Sequence, residues 1–435
     1  MSEHTWPRKA SRRQFVALAS AALLACLLQT GFAQDRPAPN RSTSPGRLYV
    51  PGYLSDEAYA GDQLMVDLPG VSRVPQEWQG GVTLLSVLDL ANMQAQPVRA
   101  AYPLHGHGVE LFPSLGVGIF AGMESDSIVG FSLDSLDMTA IARPLNDGWL
   151  FGGHAVRLPD GLHFAVAERH PAFPRSGNRQ TDITRMQGRI VIREAKTLAS
   201  VNEFPCYGIR PHDVCISADG KHITVANYGS TVASESAHTA GIDVLAPGIA
   251  IIELASGKLV SWVDGIDSLA ELRHLVAPRL DRVFAMTVRM GLTGTPMSSL
   301  LEAEPNADPP ATFIPSLPLR VANGRAMQLM SEQVSMARQG LSMVYDARHD
   351  EVLATFPSSH TVAILHGATG RLMQLIHTDS LGLKWPCGLA MSPDGSFYCV
   401  TGYWSGTLTL ASGNHQVKSM VTAHQWWGHS HTVIA

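Results

Sequence analysis

From Gly46 onward, apolar residues come in short runs separated by turns rich in Gly, Pro, Asp and Asn, and little of the chain keeps the spacing of an amphipathic helix. The runs recur in sets of four. One set reads GHAVRLP, LHFAVAE, GRIVIREA and ASVNEFP; the next reads HDVCISA, KHITVANY, GIAIIELA and KLVSWVD. Pro159-Asp160-Gly161, Ala218-Asp219-Gly220 and Pro393-Asp394-Gly395 hold the same place between a first and a second strand. Asp-Gly supplies the positive φ that such hairpin turns need.

Candidate innermost strands begin near His107, His154, His212, His274, Gly340, Gly388 and His431, with successive gaps of 47, 58, 62, 66, 48 and 43 residues. The shortest gaps match the ~40–50 residues of a four-stranded propeller blade. Residues 428–435 supply only a first strand, whereas residues 46–53, 81–90 and 94–102 supply three strands with no first strand before them. The two ends therefore complete one blade between them, which removes a free sheet edge. The pattern predicts an all-β chain, a seven-bladed β-propeller over residues 46–435, closed by pairing of the C-terminal strand with N-terminal strands. The longer gaps come from extra residues between second and third strands, at 54–80, 169–187, 229–247 and 291–311. In a propeller those connections share a face with the ones entering each first strand. The long loops and the histidines are thus expected on one face, and loops on a rigid scaffold are where binding usually resides.

Apolar residues make up 45% of the 435 and charged ones 16%, which fits a packed core rather than a disordered chain. The net charge of −5, with no long basic run, argues against a nucleic-acid partner.

The N-terminal residues depart from the strand pattern. Ser11-Arg12-Arg13-Gln14-Phe15 fits a twin-arginine export motif, an apolar stretch runs from Val16 to Leu28, and Gly31-Phe32-Ala33 suits signal peptidase. That stretch is short for a spanning helix, and no other stretch is suited to crossing a bilayer, so no transmembrane segment is expected in the mature chain. Residues 1–33 are expected to be a signal peptide and 34–45 a polar, Pro-rich linker, with the propeller delivered to the periplasm. Leu23-Leu24-Ala25-Cys26 also fits a lipoprotein cleavage site, the alternative to release after Ala33. The other cysteines are Cys206, Cys215, Cys387 and Cys399, none in a CxxC pair. Cys215 and Cys399 lie inside apolar strand patterns, as core residues do, and whether any of the four pair is left open by the sequence.

The phrases HGHGVELFP, FGGHAVRLPDG, EFPCYGIRPHDVCISADGK, ITVANYG and LRHLVAP together resemble the family called domain of unknown function 1513. The resemblance runs from roughly Arg47 to the C-terminus and is strongest over residues 104–285. It implies a twin-arginine-exported, periplasmic propeller. It also implies a link with iron uptake, through the imelysin-like proteins that members are found beside, but it implies no reaction. The chain departs from the family pattern in a longer 54–80 loop and in the Ser/Ala-rich segment 230–240.

His107, His154, His212, His274 and His431 all start inner strands, in blades consecutive around the ring, so they are expected to converge near the channel mouth. His105 and His429 lie two residues before His107 and His431, and residues i and i+2 of a strand point the same way. Asp213, Glu124 and Glu168 are the nearby carboxylates by this reading. Imidazole with carboxylate suits a transition metal such as iron, copper or zinc. Such histidines also serve as architecture, bonding neighbouring backbone where a channel's polar groups need partners. Arg210 and Arg273, just ahead of inner-strand histidines, suit either loop anchoring or an anionic ligand. No Gly-x-Ser-x-Gly elbow, phosphate loop, His-Glu-x-x-His or CxxCH motif is present. Three functions fit: a periplasmic binding or accessory protein holding a small ligand or metal, a metal-dependent oxidoreductase or lyase using the same histidines, and a scaffold whose loops hold another exported protein.

Overall fold

The computed structural model describes residues 46–53, 59–60, 63–64, 82–123, 125–171, 186–229, 247–266, 270–289, 316–426 and 431–435. The expected signal peptide and linker, Cys26, Glu124, His429 and most of the four long loops lie outside them. Among the described residues, no helix is long and apolar enough to cross a membrane.

Seven four-stranded antiparallel sheets are present, and they are the expected blades. Blade 1 is Val433–Ile434, Arg47–Tyr53, Thr83–Asp89 and Val98–Tyr102, from the inside outward. Blade 2 is Gly106–Phe112, Val117–Gly122, Ile128–Ser132 and Met138–Ala142. Blade 3 is Leu150–Arg157, His163–Arg169, Gln187–Glu194 and Ser200–Ile209. Blade 4 is Pro211–Ile216, His222–Asn227, Gly248–Glu253 and Leu259–Asp264. Blade 5 is Ala270–Arg279, Arg282–Arg289, Leu319–Ala322 and Arg325–Gln328. Blade 6 is Met343–Asp346, Glu351–Phe356, Thr361–His366 and Leu372–His377, and blade 7 is Pro386–Met391, Phe397–Gly402, Ser405–Ala411 and Val417–Gln425. A small extra hairpin, Tyr59–Ala60 with Gln63–Leu64, stands within the first long loop.

The sequence forms these strands for a radial reason. Second strands such as Glu351–Phe356 are buried at every position, because a neighbouring blade covers each face. Fourth strands such as Met138–Ala142 are largely exposed, at the rim. The core is a ring of interfaces. Leu158, Ile190 and Phe204 of blade 3 meet Val214, Ile223 and Ile252 of blade 4. Equivalent apolar clusters join blades 1 and 2, 2 and 3, 4 and 5, 5 and 6, and 6 and 7. The last, with Leu48, Leu88, Ala390, Trp426 and Ile434, joins blade 7 to blade 1.

The Asp-Gly turns take the expected form. Gly161, Gly220 and Gly395 each have a φ of 68°, and Asp160, Asp219 and Asp394 accept hydrogen bonds from the backbone two residues on. Closure is also as expected: Leu48 pairs with Ile434 and Tyr49 with Val433. Arg47 N donates to Ala435 O at 2.8 Å, and Ala435 N returns a bond to Arg47 O at 3.0 Å. The first strand of this blade is shorter than the sequence implies, only Val433–Ile434.

Candidate functional site

In the first strands of blades 2 to 5 the histidine sits at a break in register. Gly106 pairs with Gly122 and Gly108 with Ala121, which leaves His107 as the extra residue. Pro211 pairs with Asn227 and Asp213 with Ala226, leaving His212. In blade 5, Arg273 and His274 lie between the pairs Leu272–Thr287 and Leu275–Ala285. In blade 3, Gly152, Gly153 and His154 lie between Phe151–Glu168 and Ala155–Val166. A bulge kinks the strand and re-aims a side chain, and here it turns imidazoles out of the pleat toward the axis.

The rings meet. His107 lies with its ring centre 4.7 Å from His154, 5.1 Å from His212 and 4.5 Å from His431. His274 lies 5.2 Å from His154, 4.9 Å from His212 and 4.4 Å from His431. Side chains from five blades touch in this way only where the innermost strands face one another, at the axis. His107, His154, His274 and His431 each offer one ring nitrogen, all within 4.8 Å of one another. Nitrogens bound to one ion at about 2.0–2.1 Å lie roughly 3.3–4.2 Å apart, so a small closing of the rings suffices.

Two glycines make room. Gly153 has a φ of 114°, and a Cβ there would lie 3.0 Å from His107 Cδ2 and 3.1 Å from His212 Cε1. A Cβ on Gly108 would lie 2.9 Å from Gly153 O and 3.1 Å from His154 Nδ1. Gly108 and Gly153 are therefore a packing requirement of the cluster.

Two of the rings, His212 and His431, are held by a hydrogen bond at Nδ1. His212 Nδ1 lies 2.6 Å from Gly152 O. A carbonyl only accepts, so Nδ1 carries the proton and Nε2 keeps its lone pair. Arg169 also approaches that Nδ1, at 3.1 Å, but its own donors serve Gly152 O and Pro211 O. His154 Nδ1 stands 3.6 Å from Asp213 Oδ1, and His274 Nδ1 stands 4.0 Å from Asp213 Oδ2. His431 Nδ1 meets Ser342 Oγ at 3.0 Å. The Nε2 atoms of His154 and His212 are buried and make no hydrogen bond.

Burial, with the nearby Arg169 charge, pushes His154 down to about 3. Burial, then the neighbouring His154 and His274, holds His212 well below the usual range. Both rings are thus neutral near neutral pH, the form that offers a lone pair. Burial raises Asp213 to about 7, against hydrogen bonds from the Leu275 and Val214 amides.

The other expected site residues fall elsewhere. Glu168 is fully buried but is held by Arg193 at 2.9 Å and Arg189 at 3.2 Å, and it accepts from Leu145 N, so it is part of a blade ion pair. His105 is exposed and stands outside the group of four. The bulge at His107 breaks the i, i+2 alternation on which its expected orientation depended. At the positions equivalent to the histidines, the register places Ser342 and Cys387 rather than Gly340 and Gly388. Cys387 packs with Leu341, Trp385 and Tyr403 and does not join the cluster. Cys206, Cys215, Cys387 and Cys399 are all free thiols.

Sequence reasoning missed Arg169, Tyr228 and Glu271. The ring of Tyr228 lies 4.5 Å from that of His212, tilted by 42°, and the guanidiniums of Arg169, Arg210 and Arg273 lie 4.6, 5.4 and 5.3 Å from it. Glu271 ties down Arg273 at 2.9 Å and Arg210 at 3.7 Å, so these two arginines serve at least as anchors. Arg169 and Tyr228 each end the second strand of their blade or follow it directly, beside the histidine-bearing first strand; that position was the available signal.

Among solved structures, hydrazine synthase from Kuenenia stuttgartiensis aligns with a TM-score of 0.53 and 15% identity, covering 82% of this chain and 97% of that one. A functionally unknown protein from Desulfotomaculum acetoxidans gives 0.46 and 13%, covering 71% and 79%. The dihydro-heme d1 dehydrogenase NirN gives 0.47 and 12%, covering 90% and 76%. At these identities the likeness concerns fold alone. No curated protein sequence matches. The sequence model of one family does match, over residues 100–433, and the chain belongs to that family, described as protein of unknown function, DUF1513.

Proposed function

We propose that this propeller is an exported binding or accessory protein that holds a transition-metal ion on its axis. His107, His154, His274 and His431 are the ligands, His212 flanks them, and Asp213 orients His154 and His274. The observation that carries this reading is the buried, hydrogen-bond-free Nε2 of His154, in a group whose nitrogens lie within 4.8 Å of one another. Its Nδ1 faces a carboxylate, as metal-bound histidines characteristically do. An imidazole set suits zinc, copper or iron. The family's setting favours iron and a role in its uptake.

The test is elemental analysis of untagged protein. His154→Ala is expected to carry about one metal ion per chain fewer than the parent; an equal count in the two, or a parent chain that carries no metal and takes up none after incubation with Fe2+, Cu2+ or Zn2+, refutes the reading. A second reading, a metal-dependent enzyme on the same histidines, draws support from the arginine-framed Tyr228 beside His212. It predicts turnover of an anionic substrate that His154→Ala abolishes.

The twin arginines and the apolar stretch after them support export to the periplasm, with the propeller following residues 1–45. Replacing Arg12 and Arg13 by lysine should block export. Unchanged export through the twin-arginine route is the result against it.

A further inference from the structure

The turns joining first and second strands lie on the face opposite the histidine cluster. Two of them carry an Asp–His pair three residues apart. Asp160 Oδ2 meets His163 Nδ1 at 2.8 Å, and Asp219 Oδ2 meets His222 Nδ1 at 3.2 Å. There the pair closes the turn, and neither forms a group of three metal-ligating side chains among the described residues.

Blade 6 repeats the pair and adds to it. Asp346 Oδ2 meets His349 Nδ1 at 2.9 Å. Glu351, which opens the second strand, brings a carboxylate oxygen within 4.8 Å of a ligand atom of both. From blade 7, the turn after Ser405–Ala411 brings His415 Nε2 to 3.4 Å from Glu351 Oε2. That imidazole is set by Tyr398, whose hydroxyl lies 3.2 Å from its Nδ1. Asp346 and Glu351 are only 2% and 4% exposed. Glu351 Oε2 is buried and has no hydrogen-bond partner. Turn closure accounts for Asp346 and His349, but not for a second buried carboxylate aimed at them. Two carboxylates packed this closely between blades are favourable together only with a proton or a positive charge between them.

We propose that Asp346, His349 and Glu351, joined by His415 of the next blade, form a second site for a divalent first-row transition ion. It is separate from the axial histidines and clamps blade 6 to blade 7. Mixed carboxylate and imidazole donors suit Mn2+, Fe2+ or Zn2+ over softer ions. The proposal stands independently of the axial site.

Mn2+ is the probe, titrated into metal-stripped protein and followed by EPR of the free ion. The background is His107→Ala/His154→Ala, in which the axial cluster is disabled. One Mn2+ per folded chain is expected, with affinity falling at least about tenfold in Glu351→Gln and again in His349→Ala, as loss of a ligand implies. A folded background variant that binds no Mn2+ overturns the site, as does binding that both substitutions leave unchanged. If the background variant fails to fold, the same comparison is made in the otherwise unaltered chain. There Glu351→Gln must bind one ion fewer, and an equal count overturns the proposal.

Discussion

Gly153→Ala tests the packing of the axial cluster most sharply. Its φ of 114° lies where side chains are disfavoured, a backbone cost of about 1–2 kcal/mol. The new Cβ would also stand 3.0 Å from His107 Cδ2 and 3.1 Å from His212 Cε1. His212 is pinned by its 2.6 Å bond to Gly152 O, so the strain falls on His107 or on the backbone. Overpacking of this kind adds about 1–3 kcal/mol, for a total of about 2–5 kcal/mol. The control is Gly161→Ala. Its φ is 68° and nothing lies within 4 Å of its Cβ, so only the backbone cost applies. Urea denaturation of metal-free protein should place Gly153→Ala below Gly161→Ala, and competition with a chelator should show metal affinity reduced about tenfold or more, equivalent to about 1.4 kcal/mol. Equal midpoints for the two variants, together with unaltered metal affinity in Gly153→Ala, would refute the claim that this glycine exists to admit the rings.

Asp213→Asn removes the carboxyl group facing His154 and His274 while keeping its shape; metal affinity should fall about 10–100-fold with an unchanged circular dichroism spectrum, and unchanged affinity would deny Asp213 its orienting part. Burial lifts Glu110 from 4.5 to about 7, against the attraction of Arg157. Because the folded state holds that proton more tightly, the stabilisation is full below pH 4.5 and is lost as pH rises through about 7, an effect of about 3 kcal/mol. Glu110→Gln should therefore remove a fall in stability between about pH 4.5 and 7, as read from denaturation midpoints. Deleting residues 431–435 removes the Leu48–Ile434 and Tyr49–Val433 pairs; broadened unfolding and association on gel filtration are expected, and a monomer with the parent midpoint would speak against closure through this strand.

Much of the fold was legible because each blade repeats the same local instructions. The Asp-Gly turns marked first hairpins, and the unbroken apolar runs marked strands covered on both faces. The bulges were not legible. An extra residue in one strand is defined by its partner across the sheet, and no local pattern announces it. That is why Ser342 and Cys387 were displaced in the alignment by sequence, and why His105 was expected to side with His107. Glu168 was misjudged for a related reason: its sequence position at the end of a second strand was correct, but Arg189 and Arg193 claim it from the third strand. The meeting of Glu351 with His415 was not legible because His415 comes from another blade, and only the ring of blades brings the two together.

The shared blade also sets a timetable. Arg47–Tyr53 leaves the ribosome before the other strands of all seven blades and waits for its innermost partner until Val433–Ile434 has been made. His431 arrives with that same partner, at 3.0 Å from Ser342 of blade 6. The stretch 431–435 is therefore at once the latch of the ring and part of its axial cluster. Under the proposed metal reading, an ion held there would favour the latched ring over the open one. If the proposed export of the folded chain holds as well, the exporter would then receive a propeller whose loading had already been checked by its own closure.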